Sequence, residues 1–159
     1  MNLILAIDVS KEINSYREKY IKYINEFIEP FEQDTNLIVI LFSQRIKYYY
    51  IGLKSNFKPL TENDLQLTQE CSFFDSLAAC LINTDRFFRQ TKRMKTMLVV
   101  FTDGAEDTTS KRIKPRMLAL QLAYAKKSGW LTIYNARNEL ACNAAVILGF
   151  DKVFRYSLE

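Results

Sequence analysis

Six short apolar or β-prone runs, separated by segments with helical periodicity, constrain this chain more than any other feature. Leu3–Ile7, Leu37–Phe42 and Met97–Phe101 are continuous apolar runs, the pattern of strands buried on both faces. Ile46–Ile51, Trp130–Tyr134 and Lys152–Tyr156 are β-prone. Between the first two runs, Ile13, Tyr16, Tyr20, Ile24, Phe27 and Phe31 recur every three or four residues, and Pro30 marks a stop. Phe73, Phe74, Leu77, Leu81, Phe87 and Phe88 repeat that period. A third helix is predicted from Pro115, suited to a first helical position, toward Gly129, and a fourth over Glu139–Leu148, stopped by Gly149. Ser43-Gln44-Arg45 is a tight connection, so the second and third strands read as an antiparallel hairpin. Gly52 to Gln69 reads as a polar loop with room for one helical turn. Alternation of this kind implies an α/β fold, a mostly parallel sheet covered on both faces. The 159 residues fit one domain over 1–159, long enough to bury a core without staples.

Composition narrows the chemistry. With no histidine, the chain has no Ser-His-Asp or Cys-His catalysis and no H-E-x-x-H zinc site. Cys71, Cys80 and Cys142 are odd in number and lack C-x-x-C spacing, so free thiols in a reducing, cytoplasmic setting are expected. Met1–Ile7 has no basic lead or cleavage site and reads as a strand rather than a leader. No apolar run is long enough to span a membrane. The net charge of +4 is mild, and the pattern lacks an aromatic and basic stacking surface, so nucleic acid is not the favoured partner. Lys111, Arg112, Lys114 and Arg116 form either a solvated loop or a basic rim.

Sites in such folds lie at the carboxyl ends of the strands. Asp8-Val9-Ser10-Lys11-Glu12 follows the first strand, and Thr102-Asp103-Gly104 follows the fourth. Asp8 and Asp103 read either as loop caps or as an acidic site. Ser10 reads as a helix N-cap or as a ligand. Glu12 suits a helix first turn as well as a ligand position. Cys71 and Ser72 arrive at the start of the second helix, where a thiol can be activated, although no histidine or second thiol accompanies it. Asp75 reads as structural.

These three segments, in this order and on these elements, resemble the von Willebrand factor A (vWA) family, and in particular small bacterial and phage intracellular vWA proteins. Asp8–Glu12 corresponds to that family's D-x-S-x-S motif, Cys71–Leu77 to its T-x-L-Y-D-A-L segment, and Thr102-Asp103-Gly104 to its T-D-G. The resemblance implies a Rossmann-like three-layer αβα sandwich. Its six-stranded sheet would have spatial order 3-2-1-4-5-6 and be parallel except for one edge strand. It also implies a metal-ion-dependent adhesion site for Mg2+ or Mn2+, carried over to Asp8, Ser10, Glu12, Ser72 and Asp103. The motif departs from the family at Glu12, in place of a second serine, and at Cys71, in place of a threonine and a poor ligand for a hard cation. The site is therefore a degenerate one, with Glu12 a candidate built-in ligand. The function implied is non-enzymatic binding of another protein that presents an acidic residue. The alternative is a Mg2+- or Mn2+-dependent phosphate or phosphodiester hydrolase using Asp8, Asp103, Glu12 and Asp107.

Overall fold

A computed structural model describes residues 1–69, 71–88, 94–103 and 113–158, with side chains omitted at 85–88. Its strands are β1 (Asn2–Asp8), β2 (Asn36–Phe42), β3 (Ile46–Leu53), β4 (Thr96–Phe101), β5 (Trp130–Ala136) and β6 (Lys152–Arg155). Its helices are α1 (Arg17–Ile28), α2 (Phe73–Phe88), α3 (Pro115–Lys127) and α4 (Glu139–Leu148). The sheet order is β3-β2-β1-β4-β5-β6, with β2 and β3 antiparallel and the remaining pairs parallel, as the resemblance implies.

Side chains alternate across a strand with period two, so each central strand feeds two cores. Leu3, Leu5 and Ile7 of β1, with Val99 and Phe101 of β4, pack against Ile13, Tyr20, Ile24 and Ile28 on the α1 side. Ile4 and Ala6, with Leu98 and Val100, pack against Leu77, Leu81, Leu118, Leu122, Ala141 and Ala145 of α2, α3 and α4. The α1 face is completed by the connection after β3, whose Leu60 and Leu65 are buried there. That connection holds two short 3-10 turns, Lys54–Asn56 and Glu62–Asp64, where the pattern predicts one.

The first helix also differs in detail from its periodicity. Lys11–Tyr16 is a 3-10 turn, and only from Arg17 does the backbone become α-helical. Glycines serve both expected stops, in the left-handed region: Gly129 follows the C-cap of α3 with φ +89°, and Gly149 closes α4 with φ +99°. Pro115 occupies the first turn of α3, as its chemistry favours. Among the described residues no helix is long and apolar enough to cross a membrane.

Candidate functional site

β1 and β4 are parallel neighbours with Ile7 opposite Phe101, so the segments that follow them emerge side by side at the carboxyl edge. Asp8 is wholly buried there. Its Oδ1 accepts from the Ser10 N–H at 2.8 Å, and its Oδ2 accepts from the Thr102 hydroxyl at 2.7 Å. No cation faces it among these contacts. Burial therefore pushes its pKa from 3.8 up to about 6, with the charge of nearby Asp103 adding to the rise and the Thr102 and Ser10 hydrogen-bonding groups opposing it.

Ser10 occupies the N-cap position of the 3-10 turn, but its side chain does not cap. The hydroxyl is buried and close enough to Asp8 to favour its charge, yet it makes no hydrogen bond of standard geometry. An orphaned hydroxyl of this kind costs free energy in a folded protein and calls for an explanation. The capping alternative for Ser10 is thus set aside.

A third segment closes on the same edge. The Thr68 N–H donates to the Val9 carbonyl at 3.0 Å, and the Ser72 N–H donates to the Ser43 carbonyl at 2.8 Å. Ser72 is buried, and its carbonyl accepts the first bond of α2, from the Ser76 N–H at 2.9 Å. The Ser76 hydroxyl also donates to the Ser43 carbonyl, at 3.0 Å, tying α2 to the end of β2. Asp75 is structural, as its first-turn position suggests: its Oδ1 accepts from the Ile113 N–H at 2.8 Å.

Two candidate residues of the motif take other places in this geometry. Glu12 is exposed, in the first turn of the 3-10 segment, around a shallow depression with Lys11, Asn14, Arg17 and Leu67. No three Cys, Asp or Glu side chains gather into one metal-holding group among the described residues. Of its two sequence readings, this placement matches that of a first-turn acid beside the helix dipole. Cys71 is buried in the core with Phe42, Phe73 and Leu77, which removes it from any exposed nucleophilic position. Gly104, Asp107, Lys111 and Arg112 lie outside the described residues, while Lys114 and Arg116 are exposed.

Sequence reasoning passed over a set of hydroxyls beneath the site. The Tyr20 hydroxyl lies 3.2 Å from the Asp8 carbonyl and 3.0 Å from the Phe101 carbonyl, so its single proton is shared between adjacent strand ends. The Tyr156 hydroxyl donates to the Thr102 carbonyl at 2.7 Å. Asn138 caps α4 by accepting from the Ala141 N–H at 2.8 Å, and its side-chain amide donates to the Asp103 carbonyl at 3.3 Å. Burial and the charges of Asp8 and Asp103 raise the pKa values of Tyr20 and Tyr156, keeping both phenols protonated donors. A signal for Tyr20 was present: a tyrosine on a fully buried helix face needs a polar partner.

The donors at this edge are carboxylate and hydroxyl oxygens, the set suited to a hard divalent cation. Asp8, Ser10 and Asp103 are the residues that could hold such an ion, with Ser72 buried just before α2, and the unsatisfied Ser10 hydroxyl is the observation that favours them.

No family model matches this sequence. No curated protein matches it in sequence either. In structure the chain is similar to an aerotolerance-related membrane protein from Bacteroides fragilis, with TM-score 0.66 and 13% identity over 99% of this chain and 92% of that one. It is also similar to a von Willebrand factor type A protein from Catenulispora acidiphila, with TM-score 0.65 and 13% identity over 98% of this chain and 38% of that one. Proximal thread matrix protein 1 from the mussel byssus, solved with a zinc-occupied MIDAS motif, matches with TM-score 0.62 and 14% identity over 99% and 41%. The ArnB paralog VWA2 from Sulfolobus acidocaldarius has TM-score 0.61 and 12% identity over 87% of this chain and 35% of its own. The chain thus spans 35–41% of the length of three of these proteins and 92% of the Bacteroides one. On sheet order, strand direction and these likenesses together, the chain has the fold of a von Willebrand factor A domain.

Proposed function

We propose that this chain is a non-enzymatic interaction module that binds another protein at the carboxyl edge of its sheet, through a divalent cation held by Asp8, Ser10 and Asp103, with Ser72 beside them. One observation carries the reading. A fully buried carboxylate and a fully buried, unpartnered hydroxyl sit together at the edge where such folds place their sites. Both are unfavourable as they stand, and both become favourable against Mg2+ or Mn2+. Asp8 supplies the charge. The Ser10 N–H and the Thr102 hydroxyl hold its two oxygens in place, and each oxygen retains a lone pair for a ligand. Tyr20 and Asn138 fix the backbone around them. A cation bound there would offer an open position to a carboxylate of the partner. The cytoplasmic setting rests on an odd number of cysteines that lack C-x-x-C spacing, which suits a reducing compartment.

Calorimetric titration with Mg2+ and Mn2+ tests the reading, with Zn2+ included because the mussel protein holds that metal. Saturable binding by the parent, lost in Ser10→Ala and Asp8→Asn, is the expected result. Absence of both heat and thermal stabilisation with all three ions would overturn it.

A further inference from the structure

A basic pocket adjoins the acidic site. Arg137 follows the last residue of β5, and Arg155 ends β6. These strands are parallel neighbours with Ala136 opposite Arg155, so both arginines leave the sheet at its carboxyl edge. With Tyr156, Ser157 and Leu158 they line a pocket of about 390 Å³.

Both guanidinium groups are held in place. Arg137 lies over the Tyr16 ring, 4.4 Å from its centroid, a stacked cation–π geometry. The Arg155 Nε donates to the Arg137 carbonyl at 3.2 Å, which orients its remaining nitrogens. Other cations find acids: Lys126 meets Asp151 at 3.0 Å, and Arg17 meets Glu62 at 3.3 Å. Neither Arg137 nor Arg155 has a carboxylate partner among the described residues. Two fixed like charges around one pocket repel each other unless an anion lies between them. Paired guanidinium groups match a planar oxyanion in geometry as well as charge.

The pocket shares a wall with the acidic site. Tyr156 lines the pocket while its hydroxyl donates to the Thr102 carbonyl, and the Thr102 hydroxyl holds Asp8. The charges of Asp8 and Asp103 are felt at both Tyr16 and Tyr156, which flank the arginines. That negative field opposes a doubly charged phosphoryl group more strongly than a singly charged carboxylate.

We propose that Arg137 and Arg155 form an oxyanion subsite that binds a carboxylate on an acidic segment of a partner protein, alongside the carboxylate directed at the Asp8–Ser10–Asp103 site. The second contact rests on the function proposed above, whereas the arginine subsite works without a cation. A segment carrying two acidic side chains then engages both halves of one edge, which sets orientation as well as affinity.

A labelled hexaglutamate peptide, followed by fluorescence anisotropy at fixed ionic strength, tests both halves separately. In EDTA the parent should bind, and Arg137→Gln and Arg155→Gln should each weaken binding about tenfold. Adding Mg2+ should tighten the parent and both arginine variants but not Asp8→Asn. Both arginines are exposed, so unchanged thermal midpoints are the check on folding. No binding by the parent in EDTA, or equal binding by parent and arginine variants, would overturn the subsite. Loss of the Mg2+ gain alone would overturn only the cation. Competition by inorganic phosphate more strongly than by glutarate would also overturn the carboxylate assignment, in favour of a phosphate-bearing partner.

Discussion

Asp8→Asn should make the cation-free protein more stable at neutral pH. Asp8 is buried, and its pKa is raised from 3.8 to about 6 in the folded state. Below pH 4 both folded and unfolded chains hold the proton, and the group contributes nothing. Between those two values the unfolded chain releases the proton while the folded chain keeps it, so stability falls as pH rises. Above pH 6 the folded chain carries the full cost of a buried charge, about 3 kcal/mol. Asparagine has the shape of the neutral acid and does not titrate. Its Oδ1 still accepts from the Ser10 N–H, and its amide donates to the Thr102 hydroxyl where Asp8 accepted from it. The variant should therefore match the parent near pH 4 and exceed it by up to about 3 kcal/mol at pH 7, or roughly 6–12 °C in thermal midpoint for a chain of this size. Urea unfolding of both proteins in EDTA, from pH 4 to 7, measures the difference directly, because other titrating groups cancel. Saturating Mg2+ should reverse the order, since only the parent gains from the ion. A variant less stable than the parent at pH 7 in EDTA, or a difference that does not change with pH, would refute the reasoning.

Ser10→Ala removes a buried hydroxyl that makes no standard hydrogen bond, so near pH 4, where Asp8 is neutral, its urea midpoint in EDTA should equal or exceed the parent's, while at pH 7 its stabilisation by Mg2+ should vanish. Tyr20→Phe leaves the Asp8 and Phe101 carbonyls without their shared donor and should cost about 1–3 kcal/mol in urea unfolding. Glu12→Ser restores the family's motif at an exposed position. It should change stability by under about 0.5 kcal/mol and, with Glu12 outside the site, leave Mg2+ affinity unaltered in calorimetry. Gly149→Ala places a Cβ where φ is +99° and should cost about 1 kcal/mol or more in thermal unfolding, despite open space around the site.

Much of the fold was legible because burial leaves a periodic trace. The two-sided burial of β1 and β4 shows in the unbroken apolar runs Leu3–Ile7 and Met97–Phe101. The positions of Asp8 and Asp103 followed from where those runs stop. The roles of Ser10 and Glu12 were not legible, because a first-turn hydroxyl or acid looks the same whether it caps, ligates or faces solvent. Their placement depends on the backbone. The 3-10 geometry of Lys11–Tyr16 leaves Ser10 buried without a capping bond and turns Glu12 outward.

By itself, the sequence determined the alternation of elements, the two-faced burial of the central strands and the absence of imidazole chemistry, since each depends only on residue type and local spacing. The spatial order of strands came through resemblance to a family, not through periodicity. Only the tertiary structure decided that α1 and the connection after β3 cover one face while α2, α3 and α4 cover the other. It alone brought Tyr20, Tyr156 and Asn138 beneath Asp8 and Asp103, and set Arg137 and Arg155 around one pocket. The physical reason is sequence separation. Tyr156 meets Thr102 across 54 positions, and Thr102 meets Asp8 across 94. Such contacts arise from strand order and register, which no local pattern of side chains encodes.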